Sequence, residues 1–254
     1  MEMPANAFKQ AIQAGRQQIG LWVSLANAYS AEVVAGSGFD WLLFDGEHSP
    51  NDPPTMLPQL QATAAYPVSA IVRPAWNDKV LIKRYLDIGA QSFLVPYVQT
   101  AAEAAAAVEA VRYPTRGVRG VAGSTRASRF GRIPDYLKKA DAEICLLVQI
   151  ESRQGLDNLD AIAGTDGVDG VFIGPADLAA GLGHLGDIGH AEVQSAIKDA
   201  IARIKAAGKP AGILATDEVS TRRYMEWGTT FTAVGVDVMI LLRETEKLAK
   251  LYRK

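Results

Sequence analysis

Eight short apolar runs, rich in β-branched and aromatic residues, recur along this chain: "IGLWVSL", "FDWLLFD", "VSAIVR", "SFLVPYV", "CLLVQIE", "GVFIG", "AGILAT" and "TFTAVGV". Most intervals between them hold one segment of helical pattern. In "NDKVLIKRYLDIGA" the apolar positions Val80, Ile82, Tyr85, Leu86 and Ile88 fall mostly on one helix face, and Gly89 supplies a stop. "AEVQSAIKDAIARIKAAG" repeats the pattern and ends at Gly208. Strands too uniformly apolar to show period two, alternating with amphipathic helices, describe a parallel sheet covered on both faces. Eight such units favour an α/β fold of the closed (β/α)8 TIM-barrel type, with an open doubly wound sheet as the rival. No Pro- or Gly-rich linker divides residues 1–254, so one barrel domain is expected.

Composition narrows the function. Hydrophobic residues make up 48% of the 254, enough for a large core, and the formal net charge is −2. A balance so near neutral gives no reason to expect nucleic acid or an anionic membrane as partner. The single cysteine, Cys145, cannot form an internal disulfide, which fits a reducing cytoplasm. The segment "MEMPANAFKQAIQAGRQQ" lacks the apolar core of a signal peptide, and no run has the length of a membrane span.

Sites in parallel α/β barrels form where the strands end. The second strand runs into "FDGEHSP", with Asp45, Glu47 and His48; the third ends at Arg73; the fifth delivers Gln149 and Glu151; the sixth opens into "GPAD" with Asp177. Asp87, before the Gly89 stop, is expected at the same rim. Two carboxylates with open positions suit Mg²⁺ or Mn²⁺ better than structural zinc. Arg73 offers a planar fork for a carboxylate or phosphate. His48, the one histidine at an expected strand end, suits acid/base work near neutral pH. Together these groups suit a 2-oxo acid and its enolate.

Each residue also has an ordinary reading. Glu151 could be a cap or a salt-bridge partner, Asp177 the N-cap of "DLAAGL", Arg73 a structural ion pair and His48 a loop histidine. His184 and His190, in "GLGHLGDIGH", are expected in solvent. The argument rests on their coincidence at one rim. A Schiff-base aldolase needs a lysine at the barrel mouth, and none of the eleven lysines ends an expected strand. No Walker, Gly-x-Ser-x-Gly or dinucleotide fingerprint appears in the required context.

The stretches "DWLLFDGEHSPND", "VRPAWND", "LDIGAQSFLVPYVQ", "RYPTRGVRG", "LLVQIES" and "DGVFIGPADLA" together resemble the class II pyruvate aldolases of the HpcH/HpaI family. The resemblance covers nearly the whole chain. It implies a (β/α)8 barrel and a divalent metal ion (Mg²⁺, Mn²⁺ or Co²⁺) held by Glu151 and Asp177. It also implies that Arg73 grips the pyruvyl group and that His48 is the acid/base, coupled to Asp87. Asp45 and Gln149 would stand behind these groups, and Gly174, Pro175 and Ala176 would meet the pyruvate carboxylate. The implied substrates are a small 2-oxo acid, pyruvate or hydroxypyruvate, and an aldehyde. The implied assembly is a homohexamer that exchanges C-terminal helices, for which the amphipathic "DVMILLRETEKLAKLYRK" is suitable. The long basic segment with Arg126 and Arg129 resembles one that serves the aldehyde end of the site, with a neighbouring subunit as its implied source. The rival readings are a related barrel lyase acting on an acyl-CoA or phosphonopyruvate-type acid, and a non-catalytic keto-acid binder.

Overall fold

The computed structural model describes residues 1–253. Eight parallel strands close into a barrel in chain order: β1 (Gln18–Val23), β2 (Trp41–Asp45), β3 (Ser69–Arg73), β4 (Ser92–Val95), β5 (Cys145–Ile150), β6 (Gly170–Ile173), β7 (Ala211–Leu214) and β8 (Phe231–Val236). β8 pairs back onto β1, which removes every exposed sheet edge. Each apolar run expected to be a strand is one.

The strands sort their side chains by alternation. Leu42 and Phe44 of β2 join the layer between sheet and helices, with Val171 and Ile173 of β6. Trp41 and Leu43 point into the lumen with Ile71, Cys145, Leu147, Phe172 and Phe231. Gly20 and Gly212 make room there: a Cβ on Gly20 would enter the Trp41 ring, and one on Gly212 the Phe231 ring. The helix Ala7–Gln13 closes the foot of the barrel, where Phe8 meets Trp41 and Phe231 at ring-centroid distances of 6.0 and 5.8 Å. The lumen is therefore packed below and open only at the strands' C-terminal ends.

The helices run back down outside the sheet. Lys79–Asp87 starts at Asp78, whose carboxylate caps two backbone N–H groups, and turns at Gly89 with φ +97°. Its C-terminus therefore lies at the foot. The connection 112–144 joins the foot of helix Ala101–Val111 to the foot of β5, so it too belongs to that end. It is organised around Arg119, which is buried between Tyr113 and Tyr136 and donates to the Tyr136 hydroxyl at 3.2 Å. Arg126 ties it to the carbonyl of Ile88 at 2.6 Å. The final helix, Asp237–Tyr252, leaves β8 directly and exposes Ile240, Leu241, Leu242, Leu248 and Leu251. No helix of the described residues is long and apolar enough to cross a membrane.

Candidate active site

The inward register that builds the lumen also places the polar groups. Trp41 and Leu43 are followed on the same face by Asp45, Ile71 by Arg73, and Cys145 and Leu147 by Gln149. Alternation thus turns from apolar to polar at the top of three strands. A cavity of about 460 Å³ opens there, lined by His48, Arg73, Gln149, Glu151, Gly174–Ala176 and Asp177, with Trp22 and Phe172 as apolar walls.

Arg73 is held before any ligand arrives. Its Nε and Nη2 donate to the two carboxylate oxygens of Asp45 at 2.9 and 2.8 Å, and its guanidinium lies 5.0 Å from the Trp22 ring centroid. Nη1 approaches Glu47 Oε2 at 2.7 Å, but off the hydrogen-bond direction, so that oxygen is charge-paired yet has no hydrogen bond. Asp45 also accepts from the backbone N–H groups of Glu47 and His48, at 3.0 and 3.4 Å. Both its oxygens are thus committed, and it acts behind Arg73 rather than in the cavity wall. Burial works to raise the Asp45 pKa, but the hydrogen bonds and charge of Arg73 outweigh it and hold the carboxyl below the usual value.

Glu151 is 3% exposed. It accepts from the Tyr97 backbone N–H at 2.8 Å and from Gln149 Nε2 at 2.6 Å. Burial, together with the Glu47 and Asp177 carboxylates, pushes its pKa up to about 7 despite those bonds. Tyr97 donates from a left-handed conformation, φ +55°, and its ring stacks on Trp76. Gly174 lies so near that a Cβ there would meet Glu151 Oε2 at 2.5 Å. Asp177 sits in the first turn of helix Pro175–Gly181, whose N-cap is Gly174 without a side-chain bond. The capping reading of Asp177 therefore fails, and its carboxylate is left facing the cavity. Glu151 and Asp177, with the partnerless amide oxygen of Gln149, bring to the cavity oxygen donors of the kind a hard divalent cation takes.

His48 is exposed and lines the cavity, its Nε2 3.8 Å from Glu47 Oε1. Asp87 does not join it. The expectation that Asp87 shares the rim is corrected: it ends a helix that descends from the rim, so within one chain it lies at the foot, under the charges of Arg119 and Lys83. Arg126 and Arg129 are at the foot as well. His184 and His190 are half-buried rather than free in solvent; their rings stack at 3.5 Å, and His184 Nε2 reaches Glu192 at 2.8 Å.

Glu47 stands at the expected strand end between Asp45 and His48, and the structure sets its carboxylate against Arg73. Trp22 and Leu214 carry no signal that separates a cavity wall from core. Arg223, in the cavity's outer wall, reads in sequence as an ordinary helix-surface arginine.

Residues 18–243 match the model of the HpcH/HpaI aldolase/citrate lyase family. The chain is 62% identical over 249 residues to a pyruvate aldolase of Rhizobium etli, covering 98% of both. It is 58% identical over 245 residues to a 4-hydroxy-2-oxo-heptane-1,7-dioate aldolase of Klebsiella pneumoniae, covering 96% of this chain and 92% of the relative. A crystal structure of a family member from Burkholderia cenocepacia superposes with a TM-score of 0.95 at 42% identity, over 98% of this chain and all of that one.

Proposed function

The chain belongs to the HpcH/HpaI aldolase/citrate lyase family and is an aldolase; from that premise we propose that it cleaves 4-hydroxy-2-oxo acids reversibly to pyruvate, or hydroxypyruvate, and an aldehyde. The observation that carries the reading is the convergence of Glu151, Asp177, Arg73 and His48 on one cavity.

Glu151 and Asp177 would hold the divalent cation, Mg²⁺, Mn²⁺ or Co²⁺. Bound there, it supplies a Lewis acid beside the keto and carboxylate oxygens of a 2-oxo acid. Arg73, its Nε–Nη2 fork held by Asp45, has further Nη1 and Nη2 N–H groups for the same oxygens and stabilises negative charge as it develops. Backbone groups of Gly174–Ala176, at the start of a helix, meet the carboxylate. In the condensation direction His48 takes the proton from C3 and gives it to the alkoxide that forms on the aldehyde oxygen; in cleavage it takes the proton of the C4 hydroxyl and, once the C3–C4 bond has broken, returns it to C3 of the enolate. Trp22 and Phe172 keep water from the carbanion face.

Among the described residues the His48 ring has no hydrogen-bond partner, only Glu47 Oε1 at 3.8 Å, and the residue expected to orient it is at the foot. An assembly of copies reconciles the two: a neighbouring subunit's foot, with its Asp87 and basic connection, meets this mouth. The uncovered apolar face of the final helix supports such an assembly, and we take it as the homohexamer the family resemblance implies. The buried free thiol of Cys145 suits a cytoplasmic enzyme.

The test is exchange of pyruvate methyl protons in deuterated water, followed by NMR on metal-stripped protein with Mg²⁺, Mn²⁺ or Co²⁺ restored. Exchange is expected only with metal, and it should disappear in His48→Ala. Exchange at the wild-type rate in that variant, or none with any metal, refutes the reading.

A further inference from the structure

The cavity is larger than a three-carbon acid requires. At about 460 Å³ it falls in the size range of sites for much bigger ligands. Its inner end, at Arg73, Gln149, Glu151 and Asp177, is committed to the 2-oxo acid. Trp22 and Phe172 wall that end, and beyond it the cavity passes the apolar Leu214 and Ala215 at the end of β7. The cavity then leaves the lumen and reaches the gap between helices Ala191–Ala206 and Glu218–Trp227, where a second arginine, Arg223, lines it.

Arg223 is positioned but not neutralised. Its Nη1 donates to Gln194 Oε1 at 3.2 Å and its Nη2 to Ser220 Oγ at 3.4 Å, both neutral oxygens. Gln194 is itself oriented, since its amide nitrogen donates to the Ile188 carbonyl and the Tyr224 hydroxyl, each at 2.9 Å. The Trp227 ring centroid lies 6.0 Å from the guanidinium carbon. One carboxylate, Asp217, lines the same cavity and feels the charge of Arg223, but it forms no ion pair with it and caps a helix, accepting from Ser220 N at 2.8 Å. Among the described residues Arg223 makes no ion pair. A guanidinium carries five N–H donors, and three remain here for a ligand.

A reactive inner end, an apolar middle and an oriented cation at the outer end define a complementary molecule. We propose that Arg223 determines acceptor specificity, selecting aldehydes that carry an anionic group, carboxylate or phosphate, at the end of a short chain. The inference rests on the aldolase reading above and adds the residue that recognises the second substrate.

The experiment uses metal-loaded enzyme with pyruvate as donor and compares wild type with Arg223→Gln. Four acceptors are run: succinate semialdehyde, its uncharged counterpart butanal, glyceraldehyde 3-phosphate and glyceraldehyde. Loss of a charge-assisted contact should lower kcat/KM for an anionic acceptor roughly 10- to 100-fold, mainly through KM, and shift the uncharged partner by no more than about twofold. A loss confined to succinate semialdehyde identifies a carboxylate, and one confined to glyceraldehyde 3-phosphate a phosphate; either supports the proposal. Equal losses for charged and uncharged acceptors, as expected of a merely structural arginine, overturn it, and so does no loss. Pyruvate proton exchange, run in parallel, should be unchanged in the variant. Its absence in wild type marks failure of the aldolase reading instead.

Discussion

Replacing Asp45 with Asn tests how the site is built. Asp45 is 2% exposed and holds Arg73 by two hydrogen bonds of 2.8 and 2.9 Å. The amide is nearly isosteric but turns one acceptor into a donor that faces the guanidinium. Removing one partner of a buried pair costs about 3–5 kcal/mol when the remaining charge has no other partner. Here Glu47 stays 2.7 Å from Nη1 and keeps part of the compensation. The expected loss is therefore about 2–3 kcal/mol, the scale of charged hydrogen bonds. Urea unfolding at neutral pH should show it as a lower midpoint. The pH dependence gives the sharper check. The folded-state pKa of Asp45 is depressed, so its contribution is fully present above the ordinary carboxylate value of about 3.9. It is lost as pH falls through the folded pKa, and the gap between wild type and variant should close on acidification. Equal midpoints at neutral pH, or a gap that persists undiminished at about pH 3, would refute the reasoning.

Gly174→Ala should keep the fold and weaken the proposed cation site, because the new Cβ displaces the Glu151 carboxylate; calorimetric titration with Mn²⁺ is expected to show affinity lowered at least roughly tenfold with an unchanged circular dichroism spectrum. Leu248→Glu, on the uncovered face of the final helix, should dissociate the assembly in sedimentation velocity; an unchanged sedimentation coefficient would remove that helix from the interface.

Much of this architecture is legible in the chain because the barrel repeats one rule. Eight apolar runs and the helices between them imply closure, and polar residues at run ends imply a rim. Two physical facts escape such a reading. Uniform apolarity hides which alternate side chains face the lumen, so Trp22 and Phe172 cannot be told from Leu21 and Val171. Helix direction is the other. Asp87 stands close in sequence to Arg73, but a descending helix carries it to the opposite end. The same holds for Arg126 and Arg129, whose connection both leaves and re-enters at the foot. Glu47 stands at the same strand end as Asp45, and only the approach of Arg73 separates their roles.

The helix Ala7–Gln13 and the aromatic rings above it stopper one end of the lumen. What remains is a vessel with one mouth, and that geometry imposes a sequence in time. If the oxo acid rests on Arg73 and Gln149 and the aldehyde extends outward toward Arg223, the acid has no exit past its neighbour. It must arrive first, and after cleavage it must depart last.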